Sequence, residues 1–301
     1  MSLQMSHRSR YCLLVLVASI LLFREPLTAL FSLAGSNEQY SHTLFAPFLC
    51  AGFLYWHRAR IFSQPAYSLR LGAPLLGLGV FIYLMSNAWS PPMDRGNVPT
   101  VAISGFVLVS TAAFILFYGR HSFMAAQFPF ALFLLFIPLP QSLVHSAVTA
   151  LQRASADWTY ALFHLISMPV LRDGMMFMLP GVTIEVAEEC SGIRASTALL
   201  ITSVILSRLF LRSTWAKVLL VLLAIPIAVL KNAVRIATIS WLGVYVSPEY
   251  LNGSLHHSGG PLFSLFALGI LIPLLLGLQR GEAAVQKRRA PLLTASPTAE
   301  T

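Results

Sequence analysis

Three polar islands interrupt an otherwise apolar chain, and each carries a side chain able to do chemistry. Cys190 lies in EVAEECSGIRAS (residues 185–196), where an acidic stretch gives way to a long apolar run. Asn232 and Arg235 sit inside a second apolar run, and the pair His256 and His257 opens HHSGG just before a third. A thiol attacks a carbonyl as its thiolate, and a free cysteine pKa of about 8.5 leaves only a few per cent ionised at neutral pH. A helix N-terminus at Cys190, the charges of Arg194 and Arg235, and a histidine acting as base would each raise that fraction. Glu188 and Glu189 push the other way unless a cation neutralises them. Ser191 and Gly192 follow the thiol directly, and this small, flexible pair would let a substrate backbone come close. Asn232 is one helical step from Arg235 and can hold its guanidinium by a hydrogen bond. Lys231 either snorkels or pairs with an acid.

Each group also has a structural reading. A lone cysteine in a span packs as a small hydrophobe, and a histidine in an outer loop is simply solvated. An arginine inside a membrane is harder to dismiss, since it costs roughly 2.5–3.5 kcal/mol at a helix centre and so faces a polar interior. Three such groups at one depth would argue for a shared site.

The elements that must position them follow from composition. The 301 residues are 56% hydrophobic and only 10% charged, with a mean hydropathy of +0.73. That excludes a soluble globular protein and predicts an all-α polytopic membrane protein. The net charge of +9 marks cytoplasmic helix ends rather than a nucleic-acid partner. Cys12, Cys50 and Cys190 are too far apart in sequence for a zinc or CxxC motif, and neither a metal nor a cofactor is expected.

Eight apolar stretches are long enough to be read as spans: 11–31, 43–56, 71–89, 98–118, 123–139, 190–210, 218–246 and 261–278. The second is short, the first is broken by Arg24-Glu25-Pro26, and the seventh contains Pro226. With both termini inside, the cytoplasmic segments hold 13 of the 20 Lys and Arg residues and two of the 11 acids, Glu282 and Glu300. The inverted orientation would violate the positive-inside rule at nearly every loop. Cys190 then opens the sixth span on the outer side, and His256 and His257 close the outer loop before the eighth. Arg235 lies 18 residues beyond Lys217, roughly 27 Å along a helix and therefore in the outer part of the bilayer. The outer segment 140–189 reads as an interfacial amphipathic helix over 143–170, built on Leu143, Val144, Val148, Leu151, Trp158 and Leu162, then a short hairpin over 175–186. Another outer loop holds Tyr40 and His42. A single membrane domain is expected over 1–280, and a basic, then Pro/Thr/Ala-rich, disordered tail over 281–301.

The ordered motifs resemble the exosortase/archaeosortase family, polytopic cysteine transpeptidases that process proteins with PEP-CTERM-type tails. GMMFMLPGVTIEVAEECSGIRAS (174–196) looks like the family's cysteine block, KNAVRIATIS (231–240) like its arginine block and LHHSGGPLF (255–263) like its histidine block. EQYSHT (38–43) is similar to an early YSHG motif, with Thr43 where glycine is usual, and FIPLP (136–140) to the proline-bearing end of a span. The resemblance implies Cys190 as nucleophile, Arg235 as stabiliser of the thiolate or oxyanion, and a histidine as acid/base. The family spacing, histidine four residues before glycine, selects His256, with His257 second. It also implies a Gram-negative inner membrane, a periplasm-facing site, a link to exopolysaccharide, and membrane-tethered substrates with C-terminal sorting tails. An envelope lipid or glycan, or water, would serve as acceptor. Two other classes fit the residues less well: an anion transporter or channel using Arg235 and Lys231, and a membrane acyltransferase working through the same thioester chemistry.

Overall fold

The structure, a computed structural model, describes residues 7–88, 100–186, 191–253 and 259–294. It divides into two compact units, Met1–Val144 and His145–Thr301. Among the described residues five helices are long and apolar enough to cross a bilayer, or seven if each of two broken helix pairs counts as one span. This is a multi-pass membrane protein.

The first unit contains α1 (His7–Leu22), α2 (Arg24–Ser36), a 3-10 helix (Glu38–Phe45), α3 (Ala46–Trp56), α4 (Arg58–Ile61), α5 (Leu69–Ala88), α6 (Thr100–Ala125), α7 (Gln127–Phe133) and a 3-10 turn (Leu134–Phe136). The first expected span is a pair of helices bent by 73°, with the joining residue Phe23 fully buried against Tyr83 and Phe106. The tightest packing is between α5 and α6. A Cβ on Gly72 would lie 2.6 Å from the Leu116 Cα, and one on Gly105 would lie 2.8 Å from the Gly79 carbonyl oxygen. Lipid offers no hydrophobic drive to pair helices, so close backbone approach at small residues does that work.

Among the described residues five helices, or up to seven spans with the bent pairs, stand against the eight apolar stretches counted from hydropathy. The stretch 43–56 becomes the end of a 3-10 helix and the 11-residue α3, about 16 Å of helix against a hydrocarbon core of ~30 Å. The stretch 123–139 is divided among the end of α6, α7 and the 3-10 turn; Pro138 and Pro140, which lack the backbone donor, follow directly.

The second unit starts within α8 (Gln141–Leu165). It continues with β1 (Leu171–Asp173), β2 (Met176–Leu179), β3 (Val182–Glu185), α9 (Ile193–Phe210), α10 (Thr214–Tyr245), α11 (Glu249–Asn252) and α12 (Gly260–Thr294). The sheet is antiparallel in the order β1-β2-β3, with Met176 opposite Glu185 and Phe177 opposite Ile184. The expected hairpin therefore carries a third strand, whose three residues are too few to show alternation. Phe177 packs edge-on against Phe163 of α8 at 5.5 Å, and Arg172 pairs with Asp157 at 2.8 Å.

The apolar positions on which α8 was expected to be built divide between two surfaces. Val144 and Val148 are buried, whereas Leu143 and Trp158 are about half exposed, at 57% and 49%, and the polar Gln152, Ser155 and Thr159 are buried. In a bilayer large apolar side chains face lipid, and small or polar ones turn to the protein interior.

The helices α9, α10 and α12 pack together through Leu199, Leu220, Ala224, Ala267, Leu271 and Leu275. At one end the Glu282 carboxylate of α12 accepts from the backbone N–H groups of Arg212 and Ser213, at 3.0 and 2.8 Å, and from the Ser213 hydroxyl. The short α9–α10 turn is thereby tied to α12. The stretch 281–294, expected to be disordered, is a continuation of α12.

Candidate active site

The cysteine block enters the second unit along β3. Val186 is buried, and its carbonyl accepts from Gln152 Nε2 at 3.0 Å. Cys190 and Glu188 lie outside the described residues, as do His256 and His257. The chain is described again at Ser191, which is fully buried, and at Gly192, which leads into α9 with φ of +70°.

Gly192 is where the cysteine and arginine blocks touch. A Cβ there would lie 2.8 Å from Asn232 Oδ1 and 2.9 Å from its Cγ, so only glycine satisfies both the backbone angle and the space. Asn232 is fully buried, and its Nδ2 donates to Ser155 Oγ at 3.0 Å. The polar stripe of α8 thus grips the structure on both sides of the thiol's place in sequence, through Gln152 at Val186 and through Ser155 at Asn232.

Arg235, one helical step beyond Asn232, is half-buried. It lines a cavity of about 310 Å³, walled on one side by residues 182–186 and on the other by Arg235, Ile236, Ile239 and Ser240, with Leu251 completing the lining. Lys231 is buried one turn earlier on α10. Arg194 is exposed on the first turn of α9. Among the described residues no three His, Cys, Asp or Glu side chains converge as a metal site requires.

Tyr40 and His42 belong to the first unit. Tyr40 Oη donates to the Leu139 carbonyl at 3.3 Å, which joins the EQYSHT and FIPLP motifs. Thr43, standing where the family usually has glycine, is fully buried and donates from Oγ1 to the Tyr40 carbonyl at 2.8 Å. His42 Nδ1 lies 3.1 Å from the Gln39 carbonyl. Burial pushes its pKa below the ordinary histidine value, against the opposing pull of that carbonyl.

Gln152, Ser155, Glu185 and Ser240 join these surroundings without having been singled out from sequence. The recurrence of Gln152, Ser155 and Thr159 at helical spacing was the available signal.

A family model described as transmembrane exosortase matches residues 34–273, well over half of the chain, and the chain belongs to that family. No curated protein and no solved structure matches it. Membership carries the general character of a membrane cysteine transpeptidase that sorts proteins.

Proposed function

We propose that this chain is a membrane-embedded cysteine protease and transpeptidase that removes PEP-CTERM-like C-terminal tails at the outer face of a bacterial inner membrane. The observation that carries the reading is the contact of Gly192 with Asn232. It brings the segment that follows Cys190 against the helix that bears Arg235, as a shared site for thiol and guanidinium requires.

The chemistry follows from those groups. The Cys190 thiolate attacks the scissile carbonyl, and Arg235 stabilises the oxyanion as it forms. His256, or His257 as the second choice, protonates the departing amine, which leaves a thioester on Cys190. The acceptor, an envelope lipid, a glycan or water, then attacks the thioester, its proton passes to the histidine, and the thiol is released. Arg194 and Glu188 tune the charge around the thiol. Asn232, through its contact with Gly192 and its hydrogen bond to Ser155, holds the turn after the buried Ser191 against α10, in the space that Ser191 and Gly192 were expected to leave for a substrate backbone. Tyr40 and His42, in the first unit, count as supporting residues through the resemblance of EQYSHT to the family motif alone. No metal or cofactor is needed. The reaction class is linked to export of envelope proteins and exopolysaccharide.

The test is removal of the nucleophile. Cys190→Ala should abolish tail removal from an exported reporter while the enzyme's level in the membrane is unchanged. Processed reporter in that variant would overturn the assignment.

A further inference from the structure

The outer edge of β3 is the feature of the second unit that this chemistry leaves unused. β2 pairs along one side of β3, and among the described residues no strand pairs along the other. Backbone groups of successive residues in an antiparallel ladder point alternately to either side. Val186 N donates to Met175 O at 3.0 Å, so Val182, Ile184 and Val186 form the set that faces β2. The N–H and C=O groups of Thr183 and Glu185 consequently point to the outer side.

The cavity runs along this edge. A hollow against one face of a strand would meet every second residue, whereas this one is lined by all five consecutive residues from 182 to 186. Its opposite wall carries Arg235 and, next to it, apolar Ile236 and Ile239. Natural edge strands are commonly blocked by lysine, proline or a bulge. Residues 182–185 contain neither lysine nor proline, and their pairing with β2 is regular from Val182 to Glu185.

We infer that the stretch of the exported protein adjoining its scissile bond binds as an added strand along the outer edge of β3, in the cavity between that edge and α10. The inference rests on the proposed function and specifies how the substrate of that same site is held. Two observations select an extended peptide. The cavity offers backbone donors and acceptors at the two-residue repeat that a strand presents. The chain also runs from Val186 to Cys190 in four residues, so the thiol is tethered within about 14 Å of Val186, inside the reach of a peptide laid along β3. Arg235 lines the same cavity, so strand pairing and oxyanion stabilisation act on one segment.

Disulfide trapping in membranes tests this. The full chain carrying Cys190→Ala and Thr183→Cys is paired with an exported reporter ending in a PEP-CTERM tail, with single cysteines at successive positions beside the scissile bond. Strand addition predicts one dominant cross-link, at the reporter position opposite Thr183, which moves by two positions along the tail when the cysteine is placed at Glu185 instead. A dominant position that does not move or moves by a helical step, cross-links at all positions equally, or none would overturn it. Separately, Thr183→Pro in the otherwise unaltered chain removes an outward N–H that the β2 ladder does not use. It should lower tail removal by roughly fivefold or more at an unchanged membrane level, and undiminished processing would also overturn the inference. Trapping requires no chemistry at Cys190. Tail removal by Cys190→Ala would therefore sink the proposed reaction without affecting the cross-link pattern, and an aberrant pattern would sink the strand without affecting the reaction.

Discussion

At Gly192 two constraints coincide, a left-handed backbone and an amide 2.8 Å from where a side chain would begin. Gly192→Ala should therefore lose about 1–2 kcal/mol from the backbone alone, with the collision added, read as a lower unfolding temperature in detergent. Asn232→Ala vacates the space but leaves Ser155 without its donor, so the double variant should lose less than the sum of the two singles. Strict additivity would argue that the two residues do not press on one another. Arg235 separates the peptidase from the transporter reading. Lysine preserves its charge but not its planar fork of donors, so Arg235→Lys should cost about tenfold or more in tail removal. A lysine variant with the original rate would show that charge alone suffices and that Arg235 has no oxyanion role. The meeting of Gly192 with Asn232 was legible as two polar interruptions at similar depth. Ser155 and Gln152 were marked only by their recurrence with Thr159 at helical spacing, which does not say whether that stripe faces lipid, water or a neighbour.

Among the elements, hydropathy located the long helices α5, α6, α9, α10 and α12 but not the fate of the shorter apolar runs. A window of apolar residues records composition, whereas Phe23 and the prolines after Phe136 decide where such a run breaks. Apolar periodicity marked α8 as an amphipathic helix, but not that Val144 and Val148 turn inward with Gln152, Ser155 and Thr159 while Leu143 and Trp158 stay exposed. Two elements give direct tests. Glu282 satisfies three donors at the α9–α10 turn, so Glu282→Ala should lower the unfolding temperature, by roughly 1–3 kcal/mol for hydrogen bonds to a charged group. Glu282→Gln, which keeps one acceptor oxygen, should recover part of that loss; equal losses would show that the carbonyl acceptor contributes nothing. The 3-10 helix Glu38–Phe45 should respond to pH. Burial holds the folded pKa of His42 below its ordinary value, so the folded chain binds fewer protons there than the unfolded one. The stability this histidine contributes is complete above the unfolded pKa of about 6.5 and is lost as the pH falls below it. Acidification from about pH 7.5 to 5.5, across that histidine range, should raise the reactivity of a Ser41→Cys probe relative to that of a free thiol at the same pH, a ratio that cancels the falling thiolate fraction. His42→Gln should abolish the response, and a response that survives it would assign the titration to another group.

For the whole molecule the question is which side of the membrane the candidate site faces, and the charges on the helices of the second unit give an expectation that can be tested. The α9–α10 turn and the stretch of α12 joined to it by Glu282 carry Arg208, Arg212, Lys217, Arg280 and Lys287. The sheet and α11, which follows α10, carry Asp173, Glu185 and Glu249 against Arg172. If the basic end stays in the cytoplasm, as the positive-inside rule expects, the β3 cavity and Arg235 would lie toward the outer face, because α9 is about 27 Å long and spans most of the hydrocarbon. That orientation is what a peptidase of exported tails requires, and it makes a prediction independent of catalysis. In a chain with Cys12, Cys50 and Cys190 replaced by serine, a membrane-impermeant maleimide added to spheroplasts should label Tyr250→Cys. It should reach Ser213→Cys only after the membrane is permeabilised. The opposite pattern would put the cavity in the cytoplasm, where a tail already carried across the membrane could not meet it, and the proposed reaction would fail on topology whatever the chemistry of its residues.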